Sequence, residues 1–431
     1  MLKSEWLLPQ LLNQKLIFKF YMKESALIPH LFRTEYHKIV SVLCYRFGID
    51  HIEIAEDIVS DTFLTATESW SMKGIPENPT AWLYTVAKNK TKNYLRHHSI
   101  FEQKLVNQIR IETEKETEID LDLSDKNIND SQLAMMFTIC DPVISKEAQI
   151  ALALNLLCGF GAQEIADGFL TGKDTIYKRL KRAKEKLKEA DIKIEQPKIP
   201  AINQRLETIL TTLYLVFSEG YYSVSNNATL RKDVCAEAMR LNYLLISNTI
   251  TDLPAANALF ALMCFHASRF DARTDADGNP VLYEEQDEKL WSQELIDQGI
   301  YYLKRASTGN ALSKYHLEAA IAYWHTHKAD STEKWENILQ LYNQLLILEY
   351  SPIIAMNRTF ALAKTNGKAA AIAEAEKLEL NDNHLYFSLL GNLYSDIDNK
   401  KALGHFQTAL KLAITLADKE MINKSIRKLI K

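Results

Sequence analysis

The sequence predicts an all-α protein made of several helical domains, and three observations carry that expectation. Only 13 Gly and 10 Pro punctuate 431 residues, and because sheets need many tight turns, scarce breakers favour long helices joined by short loops. Apolar residues recur with helical rather than alternating spacing along nearly the whole chain. The length also exceeds what one hydrophobic core ordinarily serves, so about two to four domains are expected. A hydrophobic content of 47% with 25% charged residues is that of an ordinary soluble globular protein.

Residues 1–21 are expected to form an N-terminal extension, because Met22 opens a cleaner amphipathic helix. Pro9, Lys15 and Lys19 interrupt the apolar residues before it, and no compact signal-peptide segment is present. In "AEDIVSDTFLTATESW", Val59, Phe63, Ala66 and Trp70 fall on one helical stripe, while Asp57, Asp61 and Glu68 share another face. "NPTAWLYTVAKNKTKNYLRHHS" opens on a proline suited to a first helical turn and keeps Leu83, Val86, Ala87 and Tyr94 together. On that helix Lys88, Lys92 and Arg96 form a positive ridge interleaved with Trp82, Tyr84, Asn89 and Asn93. Aromatics beside positive charge suit unstacked bases, and asparagine amides pair with base edges. Trp82 and Tyr84 would equally serve as core.

The stretch Glu112 to Asp130 is strongly acidic and poor in aromatics, which marks 101–131 as a flexible linker. Helical periodicity then resumes. "AQEIADGFLTG" reads as a short helix, with Ile165, Ala166 and Phe169 inward, and a turn ending at Gly172. In "KDTIYKRLKRAKEKLKEA", Ile176, Leu180, Ala183 and Leu187 form the inward stripe and Lys173, Tyr177, Lys178, Arg179, Lys181 and Arg182 lie outside it. Short helix, turn and longer basic helix make a helix-turn-helix, whose second helix fits the major groove. The later cations, Lys184 to Lys188, read as phosphate contacts or solvated surface. "GFLTGKDT" is one residue short of a phosphate-binding loop, has Asp174 where Ser or Thr should stand, and follows no apolar strand.

A second linker is expected at 192–200, and 201–431 is again helical. Gly391, Tyr394, Ala402, Phe406 and Ala409 approximate a tetratricopeptide (TPR) unit, in which small residues let paired helices approach. Trp291, Tyr315, Trp324 and Trp335 are expected in the core. His325 and His327 fall on different helix faces and make poor metal ligands. This half shows no nucleophile–base pair, metal-ligand spacing or glycine-rich phosphate loop, so the protein is not expected to be an enzyme or to carry a cofactor or metal. The charged phrases "SRFDAR" and "YEEQD" suit a polar network or a partner site, and the residues leave both open.

A net charge of −4 does not mark a nucleic-acid binder, but local patches rather than the average bind phosphate. The five cysteines are scattered without a C-x-x-C, which fits a reducing, cytoplasmic setting. No apolar run approaches the roughly 18 residues needed to span a bilayer, so no membrane partner is expected.

The order of these blocks resembles the extracytoplasmic-function sigma factors of bacterial RNA polymerase. Asp57, Ile58, Val59, Asp61, Thr62 and Phe63, then Trp82, Leu83, Ala87, Asn89 and Arg96, match the family's region 2, with Lys88, Asn93 and His97 standing where Arg, Asp and Arg are usual. Glu164, Ile165, Ala166, Thr175, Arg179, Leu180, Arg182 and Ala183 match region 4. "YLVFSEGY", "ALMCFHASRFDAR", "LYEEQDEKLW", "YHLEAAIAYWH" and "SPIIAMNRTFALA" resemble the subgroup with a C-terminal TPR-like extension, as does the segment before region 4, although Asp141 replaces a usual His.

The resemblance implies two small helical domains that bind DNA and polymerase, region 2 at 22–100 and region 4 at 132–191, followed by a TPR-like domain at 201–431. Its implied partners are core RNA polymerase and promoter DNA. Asp57, Asp61 and Glu68 would face the polymerase clamp. Trp82, Lys88, Asn89, Lys92, Asn93 and Arg96 would hold the melted −10 element. Lys173, Thr175, Tyr177, Lys178, Arg179, Lys181 and Arg182 would lie at the −35 element, with the acidic linker threading the polymerase between the two. The C-terminal half would regulate through a protein partner or an intramolecular contact. The runner-up is a non-sigma helix-turn-helix regulator with a repeat sensor domain, which has no use for the blocks at Asp57–Trp70 and Trp82–Arg96.

Overall fold

The computed structural model describes residues 27–106, 121–168, 171–221, 232–275, 281–309 and 311–430. The expectations for residues 1–21, for Phe169 and for the acidic residues 112–120 lie outside them. Among the described residues the regular structure is helical, with no strand. The chain divides into two compact units, Met1–Val216 and Phe217–Lys431.

The first unit begins with α1 (Leu27–Phe47), α2 (Ile52–Lys73) and α3 (Pro79–Val106). The stripe expected on α2 is its buried face: Val59, Phe63, Ala66 and Trp70 are all in the core. Gly74 ends α2 at φ 80°, and the Asn78 side chain accepts the Ala81 amide at 3.0 Å to start α3. Helix α1 is buried without interruption from Ile39 to Cys44, the mark of a helix covered on all sides. It packs against α2, α3 and α4 (Asp125–Ile139). Glu35 on α1 is 1% exposed, yet it accepts bonds from the Tyr84 hydroxyl of α3 at 2.6 Å and from Lys38 at 3.0 Å.

Helix α3 extends to Val106 and α4 starts at Asp125, so both enter the stretch expected to be a linker. Ser124 caps α4 by accepting the Asn127 amide, and residues 131–140 are continuously buried. Within the expected linker Leu121, Ile128 and Ser131 are already buried, so its last part belongs to the core. After α5 (Lys146–Leu152) and a π-helical segment (Ala153–Leu157), the chain turns at Gly159. A side chain there is excluded twice, by a φ of 72° and by the Arg33 carbonyl oxygen 3.1 Å from where a Cβ would sit. Helices α6 (Ala162–Gly168) and α7 (Lys173–Glu189) follow and pack together.

The short segment expected to be a second linker is also fastened. Ile194 is buried, and the Gln196 amide donates to the Asp130 carbonyl at 2.7 Å. Helix α8 (Ile199–Tyr221) then runs across the unit boundary. In its first-unit part Arg205 pairs with buried Asp141 at 2.6 Å and donates to the Phe137 carbonyl at 3.1 Å.

The second unit continues through α9 (Lys232–Ser247), α10 (Pro254–Ala267), α11 (Gln293–Ala306), α12 (Lys314–Trp324), α13 (Thr332–Leu348), α14 (Pro352–Asn366), α15 (Lys368–Ala375), α16 (His384–Tyr394), α17 (Asn399–Leu412) and α18 (Leu416–Ile430). Each packs chiefly on helices one or two places along the chain. Helix α10 is the most enclosed, buried from Ala256 to Phe265. Between α16 and α17 a Cβ on Gly391 would lie 2.7 Å from the Phe406 ring, so only glycine permits that approach. Tyr394, Ala402, Phe406 and Ala409 are buried around it.

Candidate nucleic-acid interface

Of the α3 residues expected to meet −10 DNA, Asn89, Asn93 and Arg96 are exposed, and Trp82, Lys88 and Lys92 are half-buried. Trp82 leans edge-to-face on Trp70, with ring centroids 5.3 Å apart, so the bundle holds one side of the indole. Lys88, Lys92 and Arg96 keep the one-face spacing of a ridge. Tyr84 points into the core, where burial pushes its phenol up and the bond to Glu35 adds to the shift.

Asp57, Asp61 and Glu68 are all exposed on α2, on the side away from its buried stripe. Asp61 already has a partner within the bundle, the ammonium of Lys90 on α3. Leu64 (57% exposed) and Met72 (78% exposed) lie beside these carboxylates. Neither is among the residues expected to meet the polymerase, although both stand three or four positions from Asp61 or Glu68.

The outward residues of α7 split into two groups. Lys173, Thr175, Tyr177, Lys178, Lys181 and Arg182 are exposed, and Arg179 is half-buried. The Lys173 ammonium lies 5.5 Å from the Tyr177 ring centre. Ile176, Leu180, Ala183 and Leu187 form the buried stripe, as their spacing requires.

The C-terminal half of α7 corrects one expectation. Lys184 is not a phosphate contact or a solvated charge: it is 9% exposed, with its ammonium 2.8 and 2.7 Å from the two carboxylate oxygens of Glu56 on α2. One turn on, Lys188 pairs with Glu53. Burial works against ionisation of Glu53, but the bonds from Lys188 and from its own backbone amide outweigh it and hold the carboxyl below its usual range. The two pairs set an i, i+3 acid spacing against an i, i+4 base spacing, so two helices are joined at adjacent turns. Arg33 on α1 likewise pairs with Glu164 on α6 at 2.6 Å. The two groups of candidate DNA-reading residues thus stand on one compact unit.

In the second unit, "SRFDAR" and "YEEQD" meet in a polar and aromatic network. The Arg269 guanidinium lies 5.4 Å from the Tyr283 ring centre and the Lys334 ammonium 5.2 Å from it. Lys334 donates to the Tyr283 hydroxyl at 3.1 Å and to the His327 carbonyl at 2.6 Å. Trp291 stacks on Tyr283 with centroids 6.2 Å apart, and His325 meets the same ring edge-on at 5.3 Å. Burial holds His325 at about 3, with Arg269 and Lys334 pushing the same way. Tyr315 and Trp335 are buried as expected, whereas Trp291 and Trp324 are half-buried. Among the described residues no group of three or more His, Cys, Asp or Glu side chains is arranged to hold a metal ion, and no helix is long and apolar enough to cross a membrane.

Comparison with known proteins places these elements. Residues 32–100, which contain most of α1, all of α2 and most of α3, match the Sigma-70 region 2 family model. Residues 205–307 match a family of unknown function, DUF6596, which takes in Arg269, Tyr283 and Trp291. An uncharacterized protein of Rhizobium meliloti (strain 1021) is 31% identical over 385 residues, covering 87% of this chain and 90% of the relative. The chain thus carries a sigma-70 region 2 domain near its start and is homologous over most of its length to that uncharacterized protein.

Proposed function

We propose that the protein is a promoter-specificity subunit of bacterial RNA polymerase, of the extracytoplasmic-function type with a TPR-like regulatory extension. The carrying observation is that one chain joins a sigma-70 region 2 bundle to a second, exposed basic helix. In this reading Asp57, Asp61 and Glu68, with Leu64 between them, meet the core polymerase. Trp82, Lys88, Asn89, Lys92, Asn93 and Arg96 hold unstacked −10 bases; extruding a base costs about a few kcal/mol, and ridge cations and stacking offset it. Lys173, Thr175, Tyr177, Lys178, Arg179, Lys181 and Arg182 sit in the major groove at −35, where phosphate contacts set position and a few side chains read bases. Region 2 then corresponds to 22–100, a region 4 helix-turn-helix to 132–191 and the extension to 201–431. Packing chiefly between neighbours in the chain favours a repeat-like extension. The protein acts in the cytoplasm, without cofactor or catalysis of its own.

The reading has a mechanical consequence. Lys184 and Lys188 fasten the −35 helix to α2, so binding two separated promoter elements requires that fastening to open. Contacts with core polymerase on the neighbouring Asp57–Glu68 face are well placed to favour the open form.

Run-off transcription with purified core polymerase tests the proposal: specific initiation supports it, and failure both to bind core and to initiate from any genomic promoter sinks it. That second outcome would favour the non-sigma regulator. Replacing Lys178 and Arg179 with Ala should weaken −35 duplex binding about tenfold and lower the slope of log affinity against log salt by about 1–2. Unchanged binding would move the reading helix elsewhere.

A further inference from the structure

Arg269 and Lys334 are the two most unusual cations of the second unit. Arg269 is 8% exposed and Lys334 is 1% exposed. Among the described residues neither has a carboxylate within ion-pair distance. Lys334 donates only to neutral oxygens, the Tyr283 hydroxyl and the His327 carbonyl. Arg269 has the face of Tyr283, and its Nε is buried without an acceptor. Trp291, stacked on the same tyrosine, also buries its indole N–H without an acceptor.

The carboxylates that act on Lys334 from a distance, Asp330 and Glu288, form no ion pair with it. Asp330 accepts from Lys364 at 3.1 Å and from the Trp335 indole, and Glu285 pairs with Lys424 at 2.7 Å. Buried charges are ordinarily paired, because desolvation is costly and a ring face returns only part of it. Two buried cations and two unanswered N–H groups around one tyrosine therefore call for a negative group with hydrogen-bond acceptors. Tyr283 and Trp291 are half-buried, so the cluster reaches the surface and offers flat apolar walls beside the charge.

We propose that this cluster is a binding site for a small anion, a carboxylate or phosphate group, received by Arg269, Lys334 and the Trp291 indole N–H against the ring of Tyr283. A planar guanidinium grips either group with two parallel bonds. The occupant would link a small molecule to the extension, and the site is testable without polymerase or promoter.

The test uses the full chain. Thermal unfolding and isothermal titration calorimetry are run with sodium phosphate, sodium acetate and sodium benzoate, each against sodium chloride of equal ionic strength. Phosphate or a carboxylate should raise the unfolding midpoint above the chloride control, and the responding salt identifies the source of the anion. Arg269→Gln should abolish the rise. Where that variant folds poorly, Trp291→Phe keeps the ring, loses only the N–H, and should weaken binding about fivefold to tenfold. Lys334→Gln should weaken it at least tenfold. Midpoints that match the chloride control for all three anions, or rises that persist in Trp291→Phe and Lys334→Gln, would overturn the proposal.

Discussion

Lys184 and Lys334 are both buried lysines on helices, and the two units treat them in opposite ways. In the first unit the charge is closed: Lys184 has both oxygens of Glu56, and one turn away Lys188 has Glu53. In the second unit it is left open: Lys334 has a phenol, a carbonyl and two ring faces. Burying an ion costs several kcal/mol even after relaxation, and a carboxylate partner offsets most of that. A closed pair therefore holds two helices together and asks nothing of a ligand. An open cation keeps its demand for a negative group. The difference separates a structural fastener from a receptive site, although both are lysines in helices of mixed charge.

The largest expected effect comes from breaking the closed pair. Glu56→Ala leaves Lys184 buried without a counter-ion and should cost about 3 kcal/mol, the lower end of what such losses cost, because part of the pair is solvent-accessible. In a Glu56→Ala, Lys184→Met double variant most of the loss should return. Urea unfolding of the four proteins reads the coupling, and additive losses would show that the pair holds nothing.

Acidification should separate the units next. His325 stays neutral in the folded protein down to about pH 3, with Arg269 and Lys334 beside it, while an unfolded histidine takes a proton below about 6.5. Stability present at neutral pH is therefore lost as pH falls through that window, by about 2 kcal/mol at pH 5. His266, half-buried near Arg269 and Arg273, shifts in the same direction. Glu53 behaves differently: its lowered pKa contributes above the usual carboxylate value and is lost only as pH falls below it. Hydrogen exchange at graded pH should show the second unit loosening by pH 5 while α2 and α7 stay protected. Simultaneous loosening would contradict the contrast.

The smallest effect sharpens the same point within the first unit. The Lys188–Glu53 pair is more exposed than Lys184–Glu56, so Glu53→Gln should cost well under 1 kcal/mol and vanish in high salt. A cost equal to that of Glu56→Ala would mean that burial does not set the hierarchy.

Much of this architecture was legible in the sequence. Val59, Phe63, Ala66 and Trp70 on α2, and Ile176, Leu180, Ala183 and Leu187 on α7, are buried where their spacing put them. The expected linkers were read less well. Acidic composition concealed Leu121, the first turns of α4 and buried Ile128, and the polar look of 192–200 hid the bond from Gln196 to Asp130. Composition averages over a stretch, whereas burial is settled residue by residue.

By itself the sequence determined where helices form and which stripe of each turns inward, because helical period is a local property of the backbone. The chemical difference between Lys178 and Lys184 was decided only by the tertiary structure. The two stand in one basic run, yet Lys178 is exposed and Lys184 closes on an acid 128 positions away. The same holds for Lys334, whose want of a carboxylate is a fact about its neighbours. A side chain's charge is written in its residue type, but whether that charge is answered depends on which distant groups the fold brings within about 4 Å.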